Sequence, residues 1–131
     1  MDSIKEKKAW SMVKRAQSFT HAFRGIRLFF LTTPNAWIHT FILAIVVLAG
    51  FFFQVSTMEW LVLLLVFGLV LVAEALNTAF EIDINLTSPE YHPFARDTKD
   101  VAAGAVLLAS IISVIVGLVI FLPKITFYVK I

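Results

Sequence analysis

No cysteine occurs among the 131 residues of this chain, and charged residues make up only 15% of them. Without cysteine the chain forms no disulfide, carries no thiolate nucleophile and offers no sulfur ligand to a metal ion. Its five glycines are scattered, so that neither GxxxxGK[ST] nor GxGxxG occurs. The soluble folds that hold a nucleotide on such glycine-rich loops are therefore excluded.

Apolar residues are correspondingly abundant. They make up 60% of the chain, against about 45–50% in an average soluble domain. A single domain of this length has no means of burying so much apolar surface in water. We therefore predict an integral membrane protein of the all-α class.

Three apolar segments are long enough to cross a bilayer, which requires about 20 residues. We predict transmembrane helices at residues 36–53, 58–84 and 99–122, with a short turn after the first and a loop at 85–97. Pro34 is expected near the start of the first of these helices, and Pro123 is expected to end the third.

The N-terminal part of the chain is basic and amphipathic. In residues 5–31 apolar side chains recur at roughly helical spacing between cationic ones, and no stretch is apolar for long enough to span. This pattern predicts a helix that lies in the membrane interface. A secretory signal peptide fits less well, because the basic region is long and no small-residue cleavage site follows an early apolar segment.

The distribution of basic residues predicts the orientation. Seven of the eleven basic residues precede Thr32, the first turn has none, and the second loop region has Arg96 and Lys99. Since basic residues are enriched on the cytoplasmic side of a membrane, the N terminus and residues 74–100 are expected in the cytoplasm.

Residues 74–100 hold six of the nine acidic residues. Carboxylates at the edge of an apolar segment are costly without partners, which makes them functional candidates. If the second helix continues, Glu74, Asn77 and Glu81 stand at i, i+3 and i+7 on one face, an arrangement of oxygen ligands that suits a hard divalent cation. Structural alternatives remain open: a hydrogen bond between helices for Glu74 or Asn77, and a solvated charge for Glu81.

Two segments of this region, EALNTAFE (74–81) and SPEYHPFARDTKDVAAGAVL (88–107), resemble the signature of the prokaryotic diacylglycerol kinase/undecaprenol kinase family. Similarity extends to SFTHAFRGI (18–26) and NAWIH (35–39). The resemblance implies a homotrimeric enzyme of the bacterial cytoplasmic membrane. Such an enzyme uses ATP and Mg²⁺ to phosphorylate a lipid alcohol, undecaprenol or diacylglycerol, and has no nucleic acid partner.

The same resemblance implies roles for single residues. Glu74 would be the general base and Glu81 a metal ligand. Asn77 is a second catalytic candidate on its own chemistry, because its amide both donates and accepts and could hold Glu74 or a phosphate oxygen. Nucleotide contacts are implied for a larger set, on the N-terminal helix, the second helix and the second loop: Arg15, His21, Glu81, Glu90, Tyr91, His92, Lys99 and Asp100.

Two positions depart from the family pattern. Some members have a metal-ligating glutamate where this chain has His39, and an aspartate is usual at the position of Asn85. A neutral histidine ligates metals, so His39 is a candidate second ligand, although Mg²⁺ prefers oxygen.

Two other functions compete with a lipid kinase. In a small accessory or scaffolding membrane protein, Glu74 and Asp100 would be polar packing groups, and Arg15 and His21 would attract anionic headgroups. A small multidrug-type transporter would also use a membrane glutamate. It would need a fourth span or dual topology, and the basic bias at the N terminus argues against the latter.

Overall fold

The computed structural model describes residues 2–129, without the side chains of residues 2–11 and 13. Its four helices are α1 (Asp2–Thr32), α2 (Pro34–Phe52), α3 (Thr57–Thr87) and α4 (Pro93–Val129), and no strand occurs among the described residues. The last three helices are long and apolar enough to cross a membrane. The predicted fold class, an N-terminal helix followed by three transmembrane helices, is confirmed.

The chain divides into two compact units, residues 1–34 and 35–131. The first is α1, on which Phe19, Phe23 and Ile26 are exposed at i, i+4 and i+7. An apolar stripe of this kind is what a helix in the membrane interface requires. The position of α1 on a membrane remains a prediction.

In the second unit, α2 ends in a compact turn. The backbone N–H of Val55 donates to the carbonyl of Gly50 (3.0 Å), and that of Gln54 donates to the carbonyl of Phe51 (3.3 Å). These two bonds form the Schellman motif of a helix C terminus. In this motif a residue just after the helix adopts the left-handed conformation, and here that residue is Gln54, with φ 51°. Val55 is buried and holds the turn against the helices.

Helix α3 begins immediately after this turn with a capping box. The N–H of Glu59 donates to Ser56 Oγ (3.3 Å), and the N–H of Ser56 donates to Glu59 Oε2 (2.6 Å). Glu59 Oε2 also lies 3.1 Å from Lys124 Nζ on α4. A buried cluster of Val55, Leu63 and Ile120 lies at the same end of the unit. One end of the antiparallel α3–α4 pair is therefore held by both apolar and ionic contacts.

Helix α4 is longer at both ends than the sequence predicted. It begins at Pro93, so the predicted loop at 85–97 shrinks to residues 88–92, and it continues through Pro123 to Val129. Proline suits a first helical turn because its missing N–H needs no partner there. Beyond Pro123 the helix keeps its contacts, since Lys124 pairs with Glu59 and the Tyr128 ring packs near two rings of the α2 end, those of Phe52 and Phe53.

Candidate active site

Four side chains of α3 are buried at intervals of four, three and four residues: Leu63, Phe67, Val70 and Glu74. They form the stripe by which α3 faces its neighbours. Glu74 is only 2% exposed, at a position where packing alone favours an apolar side chain. Burial of an unpaired carboxylate costs several kcal/mol, so this residue requires a partner.

The partner comes from another helix. His39 Nε2 on α2 lies 3.3 Å from Glu74 Oε1, slightly longer than the usual N–H···O distance of about 3.0 Å. The His39 side chain is 19% exposed, which places the pair at the boundary between the packed stripe and the surface of the unit. The sequence singled out both residues but did not predict their contact, because they are far apart in the chain and on different helices.

One and two turns further along α3 lie the other two members of the predicted face. Asn77 Nδ2 donates a hydrogen bond to Glu81 Oε1 (3.0 Å). The side-chain oxygen of Asn77, Oδ1, is buried, and none of the described residues donates a hydrogen bond to it. Glu74, Asn77 and Glu81 thus continue the buried stripe towards the end of the helix, with burial decreasing from the first to the last.

The oxygen atoms at this end of α3 fit a magnesium ion better than the histidine does. Within the described part of the chain no group of three or more His, Cys, Asp or Glu side chains could hold a metal ion. Mg²⁺ does not need such a cage, since it keeps several waters and uses one or two carboxylates together with substrate phosphates. The exposed Glu81 carboxylate and the unpartnered Oδ1 of Asn77 offer that kind of ligand set.

A polar cavity of about 260 Å³ lies beside the loop between α3 and α4. Four residues predicted to contact nucleotide line it, Glu90, Tyr91, His92 and Lys99. The full lining is Ile84, Asn85, Ser88, Pro89, Glu90, Tyr91, His92, Ala95, Arg96 and Lys99. Asp100 does not line the cavity, and its exposed carboxylate lies 3.9 Å from Arg96 Nε.

Two residues of this cavity were not predicted as site residues. Asn85 Oδ1 accepts a hydrogen bond from Lys99 Nζ (2.7 Å) and so ties α3 to α4. Because the amide is neutral, it orients the ammonium group without cancelling its charge. Arg96 adds a second cation to the lining. Its spacing of three residues before Lys99, on one helical face, was the available signal.

His92 has a structural task in addition to lining the cavity. Its Nδ1 accepts a hydrogen bond from the N–H of Phe94 (3.3 Å), one of the amides that have no partner in the first turn of α4. The loop conformation and the start of α4 are therefore coupled. The remaining predicted nucleotide contacts, Arg15 and His21, lie exposed on α1 and stay predictions.

An apolar groove of about 400 Å³ runs between α3 and α4. Asn77 is the one polar residue in its lining, which consists of Leu69, Val72, Ala73, Leu76, Asn77, Phe80, Ala102, Ala105, Leu108, Ala109 and Ile112. A groove of this chemistry accepts an aliphatic chain without competing polar contacts. Asn77, the polar residue of the groove, lies between Glu74 and Glu81 on α3.

Comparisons with known proteins show which family this chain is similar to. The family model described as prokaryotic diacylglycerol kinase matches residues 20–121. An undecaprenol kinase from Bacillus subtilis (strain 168) is 42% identical over 108 residues, which are 82% of this chain and 88% of that protein. A diacylglycerol kinase from Synechocystis is 41% identical over 119 residues, 89% of this chain and 68% of that protein. No solved structure matches the chain.

Proposed function

This chain belongs to the prokaryotic diacylglycerol kinase family, and on that premise we propose that it phosphorylates undecaprenol, with Mg²⁺, at the cytoplasmic surface of the membrane. Membership of the family makes the protein a membrane-embedded kinase that transfers a phosphoryl group from ATP to a lipid alcohol. The alternative of an accessory protein without enzymatic activity is set aside accordingly. The acceptor lipid, the metal ion, the residue roles, the orientation and the trimer are our proposals.

The observation that carries the proposal is the buried carboxylate of Glu74. A lipid hydroxyl is presented at the edge of the hydrocarbon region, and a nucleophile of this kind needs positioning and a proton acceptor. Glu74 ends the packed stripe of α3 and is 2% exposed, and we propose that it lies at that edge. In the proposed reaction it accepts the hydroxyl proton as the lipid oxygen bonds to the γ-phosphorus of ATP. The bond between that phosphorus and the β–γ bridging oxygen breaks, and ADP leaves.

The proposed nucleotide site is the polar cavity beside the loop. Lys99, held by Asn85, and the neighbouring Arg96 supply positive charge for phosphate oxygens. Tyr91 and His92 offer rings against which a base can stack. Glu90 and Asp100 remain proposed contacts to the polar groups of the nucleotide.

The proposed metal ligands are Glu81 and the unpartnered carbonyl oxygen of Asn77. When bound there, Mg²⁺ would neutralise phosphate charge and so lower the repulsion that the incoming lipid oxygen meets. Asn77 also holds the Glu81 carboxylate through its Nδ2 donor, so a single amide orients the metal-binding group and borders the lipid groove.

The proposed orientation follows the basic residues, with α1 and the loop between α3 and α4 in the cytoplasm. Lys124 lies at the opposite end, where a basic residue is disfavoured, and there it pairs with Glu59. Labelling with a membrane-impermeant maleimide of a cysteine introduced at the exposed Ser18 tests this orientation. Strong labelling from outside intact cells would reverse it.

A homotrimer is proposed because three membrane helices enclose a site poorly. Most large apolar side chains of α2 and α4 are exposed in the single chain. The exposed Ala103 and Ala105, with Gly104 between them facing open space, would allow close approach of another helix. Mass determination of the detergent-solubilised protein by light scattering distinguishes a trimer from a monomer.

Diacylglycerol is the second candidate acceptor, because a relative of nearly equal identity carries that name. The test is transfer of radiolabelled γ-phosphate by the purified protein to undecaprenol, diacylglycerol and monoacylglycerol in mixed micelles, with and without Mg²⁺. Preferential labelling of undecaprenol is the expected result. Preference for diacylglycerol would favour the second candidate, and the absence of transfer to any lipid alcohol would overturn both.

A further inference from the structure

The roles proposed above do not account for the contact between His39 and Glu74. We infer that His39 is a positioning residue for the base: its Nε2–H donates to Glu74 Oε1 and directs the other carboxylate oxygen, Oε2, towards the acceptor hydroxyl. The inference rests on the proposed function of Glu74 as a general base. His39 would hold the buried carboxylate in the orientation that proton transfer from the lipid requires.

The burial of the pair supports this role. Glu74 is 2% exposed, and His39 is the only ion-pair partner of its side chain among the described residues. A carboxylate in these surroundings loses its hydration, so an oriented donor has a large effect on where its lone pairs point. A single donor on one oxygen leaves the second oxygen free to accept the proton of the lipid hydroxyl.

The location of His39 supports it as well. The residue lies on α2, whereas the base and the proposed metal ligands lie on α3. The contact therefore holds the carboxylate from a second helix and restrains rotation about the side-chain bonds of Glu74. The distance of 3.3 Å is long for a hydrogen bond, and catalytic hydrogen bonds often shorten only when substrate is bound.

The chemistry of the ring provides a discriminating pair of substitutions. It is Nε2, the distal ring nitrogen, that faces Glu74. The amide nitrogen of glutamine reaches about as far from the backbone as Nε2, whereas that of asparagine is one carbon shorter. His39→Gln therefore keeps a donor within reach of Oε1, and His39→Asn offers the same group out of reach. Thr40→Val is the matched control, since the Thr40 hydroxyl donates to the Ala36 carbonyl in its own helix (2.7 Å) and to no other residue that the structure describes.

The experiment measures kcat and the KM for ATP of the full-length protein in mixed micelles that contain its lipid acceptor. We expect His39→Asn and His39→Leu to lower kcat by about tenfold or more, the scale of losing one hydrogen bond to a charged group. The KM for ATP should stay within about twofold, since no nucleotide contact is removed. His39→Gln should retain most of the wild-type kcat, and Thr40→Val all of it.

A double-mutant cycle tests whether His39 acts through Glu74. In a Glu74→Gln background, His39→Leu should cause little further loss, because the group that it positions is already absent. Full multiplication of the two losses would overturn the inference, as would wild-type kcat in both His39→Asn and His39→Leu. If His39→Leu does not fold, the comparison of His39→Gln with His39→Asn decides alone. A wild-type protein that transfers no phosphate would instead refute the proposed function.

Discussion

Replacement of Glu74 by glutamine is the most direct test of the proposed mechanism. Glu74→Gln keeps the shape of the side chain and an oxygen that can accept from His39 Nε2, 3.3 Å from the native carboxylate. What it removes is the capacity to take up a proton from the lipid hydroxyl. Loss of a general base lowers the rate by about 10²-fold to 10⁴-fold, which corresponds to about 2.7–5.5 kcal/mol of transition-state stabilisation.

The fold should tolerate this change. Glu74 is 2% exposed, so an uncharged amide at this position removes a desolvation cost and leaves the stripe of Leu63, Phe67 and Val70 intact. Thermal unfolding in detergent should therefore occur at the wild-type temperature or above it. A lower rate would then reflect a slower chemical step and not unfolding of the protein.

The assay is phosphate transfer from radiolabelled ATP to lipid under saturating nucleotide, with wild-type and Glu74→Gln protein purified in parallel. Glu59→Gln is the control, because Glu59 is a carboxylate on the same helix that pairs with Lys124 at the opposite end. We expect it to retain the wild-type rate. A well-folded Glu74→Gln protein that phosphorylates lipid at nearly the wild-type rate would remove Glu74 from the mechanism.

Three further substitutions test other parts of the structure. Glu81→Gln should move the Mg²⁺ titration to higher concentration and lower the maximal rate, because an amide is a poorer ligand for a hard cation; an unchanged titration would contradict its role as ligand. Lys99→Met removes the ammonium group held by Asn85 and should raise the KM for ATP by about tenfold, the scale of one charge-assisted bond to phosphate; an unchanged KM would place the phosphates elsewhere. Gly50→Ala would drive a methyl group into the Trp60 ring and should lower stability by about 1–3 kcal/mol, which denaturation in mixed micelles measures. A Gly50→Ala protein as stable as wild type would mean that the ring moves aside freely.

The sequence predicted the helices better than their ends. The length of the apolar segments identified all three membrane helices, because the thickness of the bilayer sets that length directly. The sequence predicts that the third membrane helix ends at Pro123. The helix continues there because contacts of Lys124 and Tyr128 with other helices outweigh the local cost of proline. Local patterns do not report such tertiary contacts.

In the candidate site, too, the sequence predicted local features but not tertiary contacts. Glu74, Asn77 and Glu81 were predictable as one face because helical spacing is a local property, and the structure places them along α3 as expected. The contacts between helices were not predictable. His39 meets Glu74 across two helices, and Asn85 meets Lys99 across a loop. Resemblance to a family identified most of these residues without indicating which of them touch.

The contacts at the two ends of the α3–α4 pair determine how a lipid can reach the groove between these helices. At the turn that follows α2, the helices are held by a buried apolar cluster and by the pair of Glu59 and Lys124. At the other end they are joined by residues 88–92 and by the hydrogen bond between Asn85 and Lys99. The apolar groove lies between these two closed ends, and most of the side chains that line it are exposed. A long-chain lipid can therefore enter sideways from the bilayer and leave by the same route while both ends stay closed.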